Sequence, residues 1–309
     1  MDFVRLRTLR ELALRTTMAA VADALRISPS AVSQQIAQLE DELQVELVER
    51  RGRGVLLTPA GKRLVAHVEK LTAVLEEAKT DIAEMKLVVA GELRVAAFPS
   101  VASMMIPRAM HALEQQNPHL SVVFDELEPI DGLAALRSWQ VDIALIDDLT
   151  LEGVLPEAGI ETHRLSVDEL LVMLPKMHRF ANRKSLALEE LRDEYWALDT
   201  RGTYSETIIR ACAKAGFRPT INGNCSGFPA IAAMVSAGCS VSVMPGLRVH
   251  SNRGDFRVAR LDPPIMRTIL VAHHRGAQRN PAIAAFLAQI KQTADSTSHA
   301  KRRPTVNQA

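Results

Sequence analysis

The chain has 309 residues, enough for about two domains that bury their own cores without a disulfide or a structural metal. Apolar residues make up 47% and charged residues 24%, which excludes a disordered, collagenous or purely coiled-coil protein. Lys and Arg number 37 against 36 Asp and Glu, so any surface for a polyanion has to be local.

Leu6, Leu9, Leu12 and Ala13 fit one face of a first helix, and Met18, Val21, Ala22 and Leu25 fit a second, with Thr16 and Thr17 as candidate N-caps. After the tight link Arg26-Ile27, Ser28-Pro29 starts a third helix: the hydroxyl accepts an orphan backbone N–H and proline fills the first turn. That helix buries Val32, Ile36, Leu39 and Leu43 and turns Ser30, Ser33, Gln34, Gln38 and Asp41 outward. Small and amide side chains approach base edges in a major groove without a charge penalty, so the pair of helices reads as a helix-turn-helix, with a small helical bundle as the alternative.

Glu49-Arg50-Arg51-Gly52-Arg53-Gly54 then leads into Val55-Leu56-Leu57. A basic loop is commonly only a solvated loop. Directly after a helix-turn-helix it reads as a hairpin wing whose arginines meet phosphates or a minor groove. Residues 1–63 hold ten Lys and Arg against eight Asp and Glu, the sign a DNA-binding head requires.

Thr58-Pro59 opens a long helix on which Leu64, Val68, Leu71, Leu75, Ala78, Ile82, Met85 and Val89 recur at alternating steps of four and three. Such an a/d seam favours self-association, the alternative being a helix packed on its own domain. From Gly91 strands and helices alternate: strands at 93–97, 120–124, 141–146, 170–174, 195–198, 240–244 and 268–272, and helices through Ile106, Met110 and Leu113 after Phe98-Pro99-Ser100 and at 133–139, 188–191, 205–215, 229–237 and 281–293. Two α/β lobes with parallel sheet and right-handed crossovers are implied. The expected divisions are a head at 1–62, a linker helix at 63–90, and a two-lobed α/β domain at 91–295. Within that domain lobe I takes about 91–162 plus 268–295 and lobe II about 163–267; the polar end, 296–309, is expected to be a disordered tail.

Cys212, Cys225 and Cys239 form no CxxC pair, and their odd number argues against a secreted disulfide framework. The first ten residues interleave Asp2, Arg5, Arg7 and Arg10 among apolar ones, which excludes a signal peptide. The longest uncharged stretch, 219–247, is broken by Gly, Pro and Asn. No membrane span and a cytoplasmic location are therefore expected. G-x-S-x-G, H-E-x-x-H, G-x-G-x-x-G and the P-loop are all absent, so no enzyme, no cofactor and no metal are expected. His273-His274 follows a strand pattern that sends the two rings to opposite faces.

Taken in order, Ala22-Asp23-Ala24-Leu25, Ser28 to Ile36, Gln38-Leu39-Glu40, Leu43, Leu47-Val48-Glu49-Arg50 and Leu57-Thr58-Pro59-Ala60-Gly61 resemble the LysR-type transcriptional regulators over nearly the whole chain. The fold class this implies is α/β: a winged helix-turn-helix head, a linker helix, and a two-lobed α/β domain resembling periplasmic binding proteins. The resemblance also implies a homodimer or dimer of dimers that binds double-stranded DNA, works with RNA polymerase and is modulated by a small molecule in the inter-lobe cleft. A periplasmic-type solute binder is the rival reading of the distal domain alone.

Ser28, Ser30, Ser33, Gln34, Gln38, Arg50, Arg51 and Arg53 are the expected DNA contacts. This chain departs from the family pattern at Pro29-Ser30, at Gln34 where a basic residue is common, at Gln44 in place of glycine and at Val48 in place of phenylalanine. The loss of a recognition-helix cation shifts weight to the wing arginines. By the same resemblance Ser100, Val101, Thr200, Thr203 and Phe228 are expected to face the effector. Helix starts near 98–103, 200–205 and 224–228 favour a carboxylate, as does Arg201, whereas Glu126 and Glu128 favour an amine; ordinary helix capping is the alternative. Some relatives sense peroxide through paired cysteines, which leaves cysteine oxidation open as a signal.

Overall fold

The computed structural model describes residues 1–51, 54–86, 89–151, 159–200, 202–249 and 254–302, without the side chains of Arg50, Arg51, Lys86, Thr203 and residues 298–302. Two compact units are present, Met1–Met85 and Lys86–Ala309.

In the first unit, α1 (Phe3–Arg15), α2 (Met18–Leu25) and α3 (Pro29–Leu43) enclose a core of Leu6, Leu9, Leu12, Val21, Val32, Ile36 and Leu39. Each helix starts on a side-chain cap: Asp2 accepts from Val4 N, Thr17 from Ala20 N, and Ser28 from Ala31 N at 3.1 Å. Thr16 instead ends α1 in the left-handed region, at φ 56°. Gln44 ends α3 the same way at φ 52°, a conformation glycine adopts at less cost, and its side-chain amide donates to Asp41 O at 2.7 Å. Strands β1 (Val48–Arg51) and β2 (Gly54–Leu57) pair antiparallel, with Val48 opposite Leu57 and Arg51 opposite Gly54.

Helix α4 (Pro59–Lys86) follows. Its Val65 and Val68 join the core of the first unit and Leu64 is half-buried against it. From Leu71 on, the seam faces outward: Leu71, Leu75, Ile82 and Met85 are exposed, Met85 by 84%. Val89 lies beyond the helix and packs into the core of the second unit, so the apolar repeat overruns the helix that it suggests.

The second unit is built on an eight-stranded mixed sheet. Strands β3 (Gly91–Ala97), β4 (Leu120–Glu126) and β5 (Ile143–Asp147) run parallel, linked by α5 (Pro99–Met104), α6 (Ile106–Gln116) and α7 (Pro129–Arg137). The expected all-parallel sheet does not hold. Strand β6 (Ile160–Pro175) pairs antiparallel with β12 (Met266–His274), which in turn pairs antiparallel with β5. At its far end β6 also pairs antiparallel with β10 (Ser242–Pro245) and β11 (Phe256–Leu261), and β11 runs parallel to β7 (Ser185–Leu186). A separate parallel pair, β8 (Tyr195–Leu198) and β9 (Thr220–Asn224), belongs to the second lobe. The lobe boundary expected at 162/163 falls inside β6, a single strand that serves both lobes.

Helices α8 (Thr203–Lys214), α9 (Phe228–Ser236) and the short α10 (Gly246–Val249) complete lobe II. Helix α11 (Pro281–Arg302) packs on lobe I through Phe286, Ile290 and Ala294. It runs well into the segment expected to be disordered. Its polar end holds because Thr293, Ala294 and Thr297 are buried, the threonine hydroxyls being satisfied by carbonyls four residues back. Residues 303–309 of the expected tail lie outside the described residues.

Candidate functional site

Two places gather the side chains that the sequence singles out. On α3, Ser28, Ser30, Ser33, Gln34 and Gln38 are all exposed, while Val32, Ile36 and Leu39 anchor the opposite face. Ser28 Oγ caps the helix and lies 2.8 Å from Ser30 Oγ, so these two hydroxyls are tied together at the helix start. Gln35, inward of this face, accepts from Thr8 of α1 and fixes how the two helices cross.

The wing is held by backbone as well as by strand pairing. Glu40 Oε1 accepts from Leu47 N at 2.7 Å and Val48 N at 3.1 Å, and Val55 N donates to Thr16 O at 2.8 Å. A carboxylate gripping two amides orients the hairpin against α3. Arg50 and Arg51 are on β1, but their side chains, and Arg53 entirely, lie outside the described residues.

The second place is a cavity of about 90 Å³ between the strand ends of the two lobes. The starts of α5, α7, α8 and α9 all reach it, through Ser100, Pro129, Gly202 and Phe228, and none carries a hydrogen-bonding side-chain cap at its N-cap residue. Proline in the first turn of α5, α7 and α9 removes one donor from each; the remaining N–H groups carry the positive end of the helix dipole. Asp199 Oδ2 accepts from Gly227 N at 2.9 Å, and Gly227 sits at φ 80°, where a side chain would be strained.

At the floor of the cavity Arg267 is 2% exposed. Its Nη2 donates to Asp168 Oδ2 at 2.9 Å and to Ser100 Oγ at 2.7 Å, and Nη1 lies 3.6 Å from Asp147 Oδ2. Two buried carboxylates thus share one guanidinium. Asp168 also accepts from Leu247 N at 2.9 Å, and Asp147 from Thr150 N at 2.7 Å, so both acids are satisfied from the backbone. Arg248 donates to Ser103 Oγ at 3.2 Å and lies over the Phe228 ring; burial holds its guanidinium below the ordinary arginine value, with Glu126 opposing. The Tyr204 hydroxyl is buried at the cavity without a hydrogen-bond partner among the described residues, and burial pushes the phenol far up.

Of the expected effector contacts, Ser100 and Phe228 line the cavity. Val101 is fully buried in the lobe I core, and Thr200 N donates to Asn224 Oδ1 instead. The Thr203 side chain and Arg201 lie outside the described residues. Sequence reading missed Arg267, Asp147, Asp168, Tyr204 and Arg248. Arg267 stands near the start of β12, ahead of the apolar run Ile269–Ala272 and outside the strand expected at 268–272, so no local pattern marks it as buried.

The cysteines are unpaired; Cys212 and Cys225 are buried and Cys239 is exposed. Burial pushes the Cys212 thiol up to about 12 and raises Cys225 as well, Asp199 adding to the latter. The His273 and His274 rings part as their strand position requires. His274 stacks on Trp139 at 3.4 Å between centroids, and His273 meets His163 and Glu161, a grouping with metal-ligand geometry that linear spacing does not reveal.

Comparison with known proteins decides the family. Residues 3–62 match the profile described as bacterial regulatory helix-turn-helix protein, lysR family, and residues 88–295 match the LysR substrate binding domain. The chain belongs to the LysR family. It is similar to the transcriptional dual regulator GltC of Bacillus subtilis strain 168, 31% identical over 291 residues that cover 93% of this chain and 95% of GltC. Among solved structures it is similar to a full-length OxyR variant from Pseudomonas aeruginosa, with 26% identity, a TM-score of 0.67, and coverage of 94% of this chain and 98% of that one. It shares the fold of CbnR solved with its target DNA, at 21% identity, a TM-score of 0.52, and coverage of 95% of this chain and 100% of that one. This LysR-family chain is a transcriptional regulator with a DNA-binding head and an effector-binding domain. No helix among the described residues is long and apolar enough to cross a membrane.

Proposed function

We propose that the regulator reads operator DNA with the exposed face of α3, through Ser28, Ser30, Ser33, Gln34 and Gln38, while Arg50, Arg51 and Arg53 of the wing bind phosphates or a minor groove. A recognition face that carries amides and hydroxyls beside Asp41 and no Lys or Arg supports this division: amides and hydroxyls discriminate base edges, and cations supply the salt-dependent part of affinity. The protein works in the cytoplasm without catalysis of its own and acts on RNA polymerase at the promoters it occupies.

Two heads are brought together by the α4 seam. Leu71, Leu75, Ile82 and Met85 are apolar and exposed along one stripe, and a second copy of the same helix covers such a stripe at heptad spacing. The assembly is a homodimer or a dimer of dimers.

The effector is a small carboxylate-bearing molecule in the cavity between the lobes. The observation that carries this reading is the Tyr204 hydroxyl, a buried donor without an acceptor among the described residues, beside Arg267, Ser100 and four helix starts. A ligand carboxylate supplies the acceptor and meets the helix dipoles. The test is a calorimetric screen of small carboxylic and amino acids, repeated on Tyr204→Phe. A binder that weakens at least about tenfold in the variant, the worth of one buried hydrogen bond, supports the site; equal binding by both proteins refutes it.

A further inference from the structure

We propose that Glu161, His163 and His273 form a Zn²⁺ site on lobe I, none of the three lining the effector cavity. The three ligand atoms lie within 4.8 Å of one another. The arrangement follows from strand register: His273 of β12 stands opposite Glu161 of β6, and His163 is two residues further along β6, so all three side chains project from one face. Glu161-x-His163 on one strand with a cross-strand histidine presents two imidazoles and a carboxylate, a donor set suited to zinc that leaves a fourth position for water.

The hydrogen bonds favour ligation at His273. Its Nδ1 lies 2.8 Å from the backbone carbonyl of His274. A carbonyl only accepts, so Nδ1 carries the proton and Nε2 keeps its lone pair. Metal-bound histidines are oriented by this kind of second hydrogen bond. That unprotonated Nε2 stands 3.0 Å from Nε2 of His163, which donates to it until a metal takes the proton's place. Two imidazoles at Zn–N distances of about 2.0–2.1 Å around a tetrahedral ion hold their nitrogens roughly 3.3–3.4 Å apart, so a few tenths of an ångström admits the ion.

Access and rigidity also fit. His273 is fully buried and fixes one ligand, while His163 is exposed and leaves a path from solvent. Among the described residues Glu161 has one ion-pair partner, Arg275 Nε at 3.7 Å, an exposed cation that Zn²⁺ displaces. Bound metal would clip the ends of β6 and β12 together.

The test uses the full-length protein stripped with chelator and titrated with Zn²⁺ alone, followed by equilibrium dialysis and thermal melting. The expected result is one Zn²⁺ per chain and a rise in Tm on adding metal. His163→Ala, at an exposed position that the fold does not need, loses that ion and the Tm response, and Glu161→Gln binds at least about tenfold more weakly. Stoichiometric binding that is unchanged in both variants places the metal elsewhere and overturns the proposal. Absence of binding to the parent protein reduces the 3.0 Å contact to a plain histidine–histidine hydrogen bond and overturns it equally.

Discussion

Arg267 of β12 and Asp168 of β6 meet at 2.9 Å, both almost wholly buried, at the place where the strand common to both lobes turns from one sub-sheet to the other. The pair orients Ser100 at the start of α5 and, through Asp168, the backbone of Leu247 at α10. Elements of both lobes therefore converge on one guanidinium at the floor of the cavity.

Removing that cation leaves Asp147 and Asp168 buried without their shared partner. Arg267→Ala is expected to destabilise the second unit by about 3–5 kcal/mol, the cost of stranding a buried charge. Urea unfolding of the variant, followed by the fluorescence of Trp196 in the lobe II core, measures it, and a loss below about 1 kcal/mol contradicts the burial argument.

Glu40 is expected to control the wing. Glu40→Ala leaves the amides of Leu47 and Val48 without their acceptor and should cost the head about 2 kcal/mol, with a milder loss for Glu40→Gln, which keeps one acceptor oxygen. The check is differential scanning calorimetry, where the transition of the effector-binding domain should not move.

Gly61 tests how tightly α4 docks on the hairpin. A Cβ at this position would lie 2.1 Å from Leu47 O, a backbone atom that cannot rotate away. Gly61→Ala should destabilise the head by about 1–3 kcal/mol or more, even though alanine favours helix. A stabilised variant would show that the contact is looser than described.

The cysteines should divide by burial. In native protein Cys239 is expected to react rapidly with a thiol reagent, while Cys212 and Cys225 wait for unfolding. Because the folded Cys212 value lies above its ordinary 9.0, at about 12, its contribution to stability is intact below pH 9 and is lost as pH rises toward 12. Fast reaction at two native thiols would reopen the redox reading.

The head was legible in sequence because each of its signals is local. Ser28-Pro29 and Thr17 cap the helices they precede, and the apolar spacing of Val32, Ile36 and Leu39 fixes which face of α3 stays exposed. The mixed sheet was not legible. Periodicity reports that 266–274 is a strand but not that it runs antiparallel to β5 and β6, and the first half of β6, polar along Glu161 to Arg164, lacks the apolar run of a buried strand. The cavity was half legible: the family resemblance points to Ser100 and Phe228, which line it, but Arg267, Asp168 and Tyr204 converge only through pairing of distant segments. The Glu161–His163–His273 grouping is invisible for the same reason.

The division of labour between α3 and the wing is tested most directly by salt-dependent binding of the full-length protein to its operator duplex. For Arg51→Ala the account predicts weaker binding by a similar factor on operator and scrambled DNA, with the log–log salt slope flatter by about one unit. For Gln34→Ala it predicts an unchanged slope and a loss of preference for the operator of about 1–3 kcal/mol. An unchanged slope in Arg51→Ala, or a preference that survives Gln34→Ala intact, would contradict it.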